Sequence, residues 1–299
     1  MQVRQKKKKF STRIILIGYA FILPALGFNL LFDWYPMLDG VVMSFFRWDG
    51  FRTATFVGLR NFVQIFQDDV FWTSVKNMMF FFVAGIILMA PAIISSVVLF
   101  RMRNKRLQYF YRVLLCIPMV IPFMVIILIW QFMYNPQYGF FNQLLTSLGF
   151  VDYLQTWLGD PKLAKWCILF VGFPWVSTNS VLIYLGGLQS VDNAIWEAAS
   201  IDGVTSLKRF FYMELPLIKG QFKLNLIGAL VGGVTGYTMQ MVMTKGGPGF
   251  ETLVPGLYMY NKAFTAKQYG YAAAVGLVLF AVSLILTLLT LKLVRSDDQ

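Results

Sequence analysis

The sequence has no histidine and only two cysteines, Cys116 and Cys167, in 299 residues. Histidine is the side chain that most readily serves as a general base near neutral pH and the commonest metal ligand. Two separated cysteines, each at or near an apolar run, give neither a disulfide framework nor a metal-binding spacing. Acid is scarce as well. There are 14 Asp and Glu against 26 Lys and Arg, and charged residues make up 13% of the chain, half of the roughly 25% usual in a soluble domain. The pattern G-x-x-x-x-G-K-[ST] occurs nowhere, so the chain has no Walker-type loop to cradle nucleotide phosphates. With no convergent carboxylates either, no catalytic constellation is found. What remains is oil: 58% hydrophobic residues, a mean hydropathy of +0.63, 29 Phe and 8 Trp. That composition belongs to a polytopic membrane protein.

Six apolar runs, 14–35, 77–100, 113–134, 166–188, 222–244 and 271–294, meet the length of about 20 residues needed to cross a bilayer core. They predict an all-α membrane protein with six transmembrane helices. The first run follows RQKKKKFSTR, which resembles the start of a signal peptide. The run is too long for one and lacks a small-residue cleavage site, so it reads as a retained anchor. Pro24, Pro91, Pro118 and Pro122 fall inside runs and read as kinks, which a packed membrane bundle tolerates. The central stretches of the six runs contain no Asp, Glu, Lys or Arg. Proton- and sodium-coupled carriers commonly place ionisable groups there, and many cation channels use acidic rings. Their absence favours energy supplied from outside the membrane.

Seventeen of the 26 Lys and Arg residues lie in segments 1–13, 101–112, 189–223 and 292–299. By the positive-inside rule these segments face the cytoplasm and both termini are cytoplasmic. The net charge of +12 thus follows lipid headgroups and does not call for nucleic acid. It also makes a cytoplasmic loop of EAASIDGVTSLKRFFYMELP, Glu197 to Pro216, between the fourth and fifth runs. Ser190 or Asp192 can cap a short helix through Ile201, with Ala198 and Ala199 favouring helix and adding little bulk. Gly203 suits the left-handed residue that ends a helix. Thr205 can cap a second helix with Leu207, Phe210 and Phe211 on one face, ended by Pro216. The resulting elbow fits an amphipathic connector on the membrane surface as well as a docking element.

Glu197-Ala198-Ala199, three residues, Gly203, nine residues, Met213, one residue and Leu215-Pro216 resemble the cytoplasmic loop of membrane subunits of binding-protein-dependent ABC importers. Met213 stands where that family usually has Ile, a volume-conserving exchange. A second stretch, TKGGPGFETLVPGLYMYNKAFTAKQYGYAAA at 244–274, together with SFFRWDG, FVGLRNFVQIFQDDVF, FYRVLLCIPMVIP and GFFNQLLTSLG, looks like carbohydrate-importer permeases of the maltose-permease type, on the larger-subunit side of their heterodimers. The resemblance covers nearly the whole chain. One departure is that about 30 residues, 135–165, stand where the maltose protein has a large extracytoplasmic insertion.

The resemblance implies a permease fold with a basic cytoplasmic N-terminus (1–13), a first transmembrane helix and extracytoplasmic segment (14–71), a permease core (72–294) containing the coupling loop 189–220, and a tail (295–299). It implies that Glu197, Ala198, Ala199, Asp202, Gly203, Leu215 and Pro216 seat on a separate ATPase. The substrate path would run past Trp175, Val176 and Asn179, then Ala229, Gly232, Gly233 and Gly236, with Tyr237 and Gln240 one turn on. Trp175 and Asn179, four apart, would share a helix face. The fifth-run glycines fit two roles, a widened cavity or a small-residue packing face of the G-x-x-x-G kind. Implied partners are a second homologous permease, a dimer of ATP-binding subunits that alone hold ATP and magnesium, an extracytoplasmic solute-binding protein, a carbohydrate and membrane lipid. The expected setting is a bacterial inner membrane and the expected role is transport without enzymatic activity. A permease for glycerol 3-phosphate or another small polyol is the alternative substrate class, and a polytopic membrane enzyme the alternative function class. An anion would favour cations along the path, and an enzyme would show ionisable groups clustered at one membrane face.

Overall fold

In the computed structural model, which describes residues 12–293, the first apolar run forms one unbroken rod. It consists of α1 (Thr12–Asn29), a π-helical turn at Leu30–Trp34 and α2 (Tyr35–Met43). The apolar stretch Leu16–Met43 has nothing buried within the chain. A helix apolar all round needs lipid or another subunit about it. The predicted N-terminal segment 1–13 and tail 295–299 lie outside the described residues, apart from Thr12 and Arg13, which open α1.

Beyond α2 a two-stranded antiparallel ribbon pairs β1 (Phe46–Arg47) with β2 (Thr55–Phe56), Phe46 opposite Phe56. α3 (Arg60–Gln67) follows. Its buried Asn61 donates from Nδ2 to the carbonyls of Ser44 and Phe46 at 2.8 and 3.0 Å, which pins the ribbon to the helix. Asp68 then caps α4 (Asp69–Ile87), accepting from the Val70 and Phe71 amides, as an N-cap carboxylate does. α4 and α5 (Ala90–Arg101) make a single rod, with Pro91 in the first turn of α5, where the missing N–H costs nothing.

α6 (Lys105–Val120) and α7 (Phe123–Met133) are bent by 84° at Ile121–Pro122. α8 (Phe140–Ser147) lies in the short connection, where Asn142 gathers the carbonyls of Pro136 and Gln155 and the Trp157 indole N–H. The fourth apolar run splits into α9 (Ala164–Phe170) and α10 (Thr178–Gln189). The loop between the fourth and fifth runs carries α11 (Asn193–Ile201), α12 (Ser206–Arg209), a π-helical turn at Phe210–Glu214 and α13 (Leu215–Leu217). The fifth run splits into α14 (Lys219–Thr235) and α15 (Thr238–Met243). α16 (Pro255–Tyr260) and the 25-residue α17 (Tyr269–Leu293) complete the fold.

The six apolar runs do not all form continuous helices. Three helical stretches among the described residues are long and apolar enough to cross a bilayer, Leu16–Met43, Asp69–Arg101 and Tyr269–Leu293, or four if the bent pair α6–α7 counts as one. Runs 166–188 and 222–244 are predominantly apolar but their helices are interrupted. Gly172 (φ 83°) and Trp175 (φ 58°) take 171–177 out of the helix, and Gly236 is extended at the end of α14.

The buried core forms three clusters. One joins Ile65, Phe71 and Met78 to Val254, Leu257, Val275 and Leu279. A second packs α5 against α10 through Ile93, Val97, Val181, Tyr184 and Leu188. A third holds Ile127, Tyr134, Cys167, Ile168 and Met243 together.

Candidate functional site

The elbow of residues 189–220 is built by local chemistry. Asp192 accepts from the Ala194 amide at 3.0 Å and opens α11. At its other end the Val204 amide donates to the Ala199 carbonyl (3.2 Å) and the Gly203 amide to Ser200 (3.4 Å), with Gly203 at φ 65°. These are the paired bonds of a Schellman stop, which needs a left-handed residue where Gly203 stands. Glu197, Ala198, Ile201, Asp202 and Gly203 are exposed and form the free surface of the elbow. Ala199 is not among them: it is buried and faces inward.

The second half of the elbow differs from expectation. Thr205 stands at the start of α12 without a side-chain cap bond. Leu207, Phe210 and Phe211 do not share a buried face. Phe210 packs on the α5–α10 cluster, while Leu207 and Phe211 are 73% and 58% exposed. The intervening π-helical turn widens the helix and rotates successive side chains off a 3.6-residue register. Nor does Pro216 end the helix. It sits in the first turn of α13, a position where proline is accommodated, and Leu215 and Pro216 are half-buried beneath the exposed surface.

Within the membrane-embedded part, three helix interruptions meet the α4–α5 rod at its junction. The α4–α5 junction, the start of α7, the 171–177 break and the α14–α15 break surround a cavity of about 440 Å³. Seven of the nine residues expected along the substrate path line it: Trp175, Ala229, Gly232, Gly233, Gly236, Tyr237 and Gln240. Phe81, Phe82, Gly85, Leu88 and Phe123 add to the walls, and none of the lining residues is charged. The Trp175 indole is held by donation from Nε1 to the Leu169 carbonyl at 2.9 Å and by edge contacts with Phe170 and Phe173. Tyr237 stands against Tyr260, ring centroids 5.5 Å apart.

Val176 and Asn179 lie elsewhere. Val176 packs on the α5–α10 cluster, and Asn179 is exposed in the first turn of α10. The expected shared face of Trp175 and Asn179 does not exist, because Trp175 is in the left-handed conformation of the break and not on a helix. The glycines divide by surroundings. A Cβ on Gly232 would meet nothing within 4 Å, whereas one on Gly236 would lie 2.4 Å from the Gly232 carbonyl oxygen. Gly236 therefore permits the break itself, and Gly232 leaves open space. The aromatic wall from α4 was missed from sequence because a run of Phe reads equally as lipid-facing surface.

Residues 92–296 match the family described as binding-protein-dependent transport system inner membrane component. The chain belongs to that family. The matched stretch contains the whole elbow and every cavity residue from Phe123 onward. The inner membrane component is 32% identical over 287 residues to the probable ABC transporter permease protein YurN of Bacillus subtilis (strain 168), covering 95% of this chain and 98% of that protein. It is 31% identical to the multiple sugar-binding transport system permease protein MsmF of Streptococcus mutans serotype c, covering 94% and 96%. In three dimensions it superposes on a chain of the bacterial alginate ABC transporter, solved in complex with an alginate pentasaccharide-bound periplasmic protein, with a TM-score of 0.80 over 95% of each chain at 21% identity. At that identity the likeness establishes the fold. A transport component of this family needs no catalytic constellation of its own.

Proposed function

We propose that this chain is the membrane-spanning permease subunit of an ATP-driven sugar importer. It would form half of the translocation path with a second homologous permease and dock on an ATPase dimer through the loop 189–220. The observation that carries the reading is the uncharged cavity at the meeting of helix interruptions. Interrupted helices are how transporters bring backbone and polar side chains to a substrate inside the bilayer. Here the interruptions present the faces of Trp175 and Tyr237 and the amide of Gln240, which match the C–H faces and hydroxyls of a sugar. The relatives include a lactose transport permease of Rhizobium radiobacter and a trehalose/maltose transport permease of Thermococcus litoralis, which supports an oligosaccharide. Glycerol 3-phosphate is disfavoured, since no cation lines the cavity to meet its charge.

ATP and magnesium would sit on the partner ATPase. The polar basin of about 610 Å³ bordered by Arg47, Asp49, Arg52, Gln64, Lys267 and Gln268 offers the solute-binding protein a seat on the extracytoplasmic side. Both termini and the elbow would be cytoplasmic, in a bacterial inner membrane. The test is to purify the complex through a tag on this chain and measure ATP hydrolysis with its solute-binding protein and maltose, trehalose, lactose or diacetylchitobiose. Sugar-dependent stimulation is expected. Stimulation by glycerol 3-phosphate alone would overturn the sugar reading.

A further inference from the structure

Among the charges near the elbow, one carboxylate is hidden. Glu214, in the turn before α13, is fully buried, with a relative exposure of 0%. Removing a carboxylate from water is unfavourable unless it is paired and its lone pairs are bonded, and two arginines meet it. Arg101 donates from Nε to Oε1 at 2.9 Å and from Nη2 to Oε2 at 2.7 Å, the two-pronged geometry that guanidinium alone provides. Arg209 donates from Nε to Oε1 at 3.0 Å.

Both arginines reach further. Arg101 Nη2 also donates to the Ser206 carbonyl at 2.8 Å. Arg209 lies 4.9 Å from the centroid of the Trp196 ring, a cation–π distance, and Trp196 packs on Phe100 with centroids 5.2 Å apart. One buried carboxylate thus ties together the end of α5, the start of α12, the turn before α13 and, through Trp196, the docking helix α11. α5 continues α4, and α4 supplies Phe81, Phe82 and Gly85 to the cavity wall.

We propose that the Arg101–Glu214–Arg209 cluster is the rigid link that carries movement of the elbow into the α4–α5 rod and so into the cavity wall. Glu214 is a positioning residue in this device, and the inference rests on the importer reading above. A loop held to the bundle only by apolar side chains could slide. A fork of charge-assisted bonds to a buried carboxylate fixes both distance and orientation, as force transmission requires. The elbow and the rod then move as one body.

The test uses the whole complex in proteoliposomes with its solute-binding protein and radiolabelled maltose, trehalose, lactose or diacetylchitobiose. The readout is sugar imported per ATP hydrolysed, alongside recovery of the ATPase on this chain. Glu214→Gln leaves two guanidinium groups without a countercharge. It should lower the ratio by about tenfold or more with the ATPase still recovered. Arg101→Lys keeps the charge but not the fork and should lower the ratio less. Glu214→Asp should restore part of what Glu214→Gln loses. If the wild type imports none of these sugars, the importer reading fails and not the link. A wild-type ratio in both Glu214→Gln and Arg101→Lys overturns the link. Loss of the chain from the membrane, or of the ATPase from the complex, in both variants also overturns it, because the cluster would then be an assembly anchor.

Discussion

The elbow and the cavity are both made where helices stop, but by opposite means. At the elbow the stop is polar and local. Asp192 caps α11 at one end and the Gly203 stop closes it at the other, so the ends would form in nearly any surroundings that allowed the helix. At the cavity the stops are apolar and cooperative. Residues 171–177 leave the helix with Trp175 at φ 58°, held by Leu169, Phe170 and Phe173. A left-handed conformation at a residue bearing a β-carbon costs about 1–3 kcal/mol and persists only where neighbours enforce it. Substitution at the elbow should therefore act on coupling. Substitution at the cavity should act on what the complex recognises.

The largest effect is expected at Gly203. Proline is locked near φ −65° and cannot take the value of 65° found there. Gly203→Pro should abolish uptake while membrane levels on immunoblot stay near wild type. Gly203→Ala, at a cost of about 1–2 kcal/mol, should keep partial uptake. Normal uptake by Gly203→Pro would remove the elbow from the coupling path.

Next comes Gly232, where a side chain would enter open space. Gly232→Leu should fill the cavity and cut uptake by roughly tenfold or more without loss of complex assembly on size exclusion. Failure to assemble would instead assign the glycine to a packing face against the second permease. Trp175→Ala is a smaller change. It should raise the sugar concentration for half-maximal ATPase stimulation by about tenfold, equivalent to about 1.4 kcal/mol, and leave unstimulated hydrolysis to report assembly.

Asp68, the cap of α4, offers a pH test. Burial raises its pKa, but the Tyr258 hydroxyl, the Val70 amide, the Lys262 charge and the Phe71 amide together outweigh that and hold the carboxyl below the usual range. A depressed folded pKa gives stability that is present above the unfolded value, near 3.9, and is lost as pH falls through the folded value. Asp68→Asn should destabilise by about 1–3 kcal/mol at pH 7, seen as a lower Tm, and the gap from wild type should narrow in acid. A gap unchanged at low pH would mean that the ionised carboxylate contributes nothing. The smallest effect is expected at Asn179. It is exposed outside the cavity, so Asn179→Ala should change half-maximal stimulation by no more than about twofold.

How much was legible depended on the range of the signal. Gly203 and a cap at Ser190 or Asp192 could be read from spacing because caps act across one turn, and the structure selects Asp192. The kinks at Pro118 and Pro122 were visible as prolines, but not the 84° bend between α6 and α7, which depends on what packs inside the angle. Seven of the nine residues expected along the path line the cavity, but Val176 and Asn179 do not, because the register assumed an unbroken helix. Nothing near Glu214 in the sequence marked it as buried, since Arg101 lies 113 residues away.

The amino-acid sequence alone determined the membrane setting, through apolar runs and sparse charge, and the ends of the elbow helix, through side chains that bond their own backbone. The tertiary structure decided where the fourth and fifth runs break, which residues wall the cavity and which carboxylate is hidden. The reason is physical. Hydropathy sums side chains over a window and is blind to backbone conformation, so Val171, Phe173 and Trp175 look the same in a helix as out of one. A cavity or a buried ion cluster exists only when segments distant in sequence arrive together, and the free energy that holds them there belongs to the contacts between segments and not to any one of them.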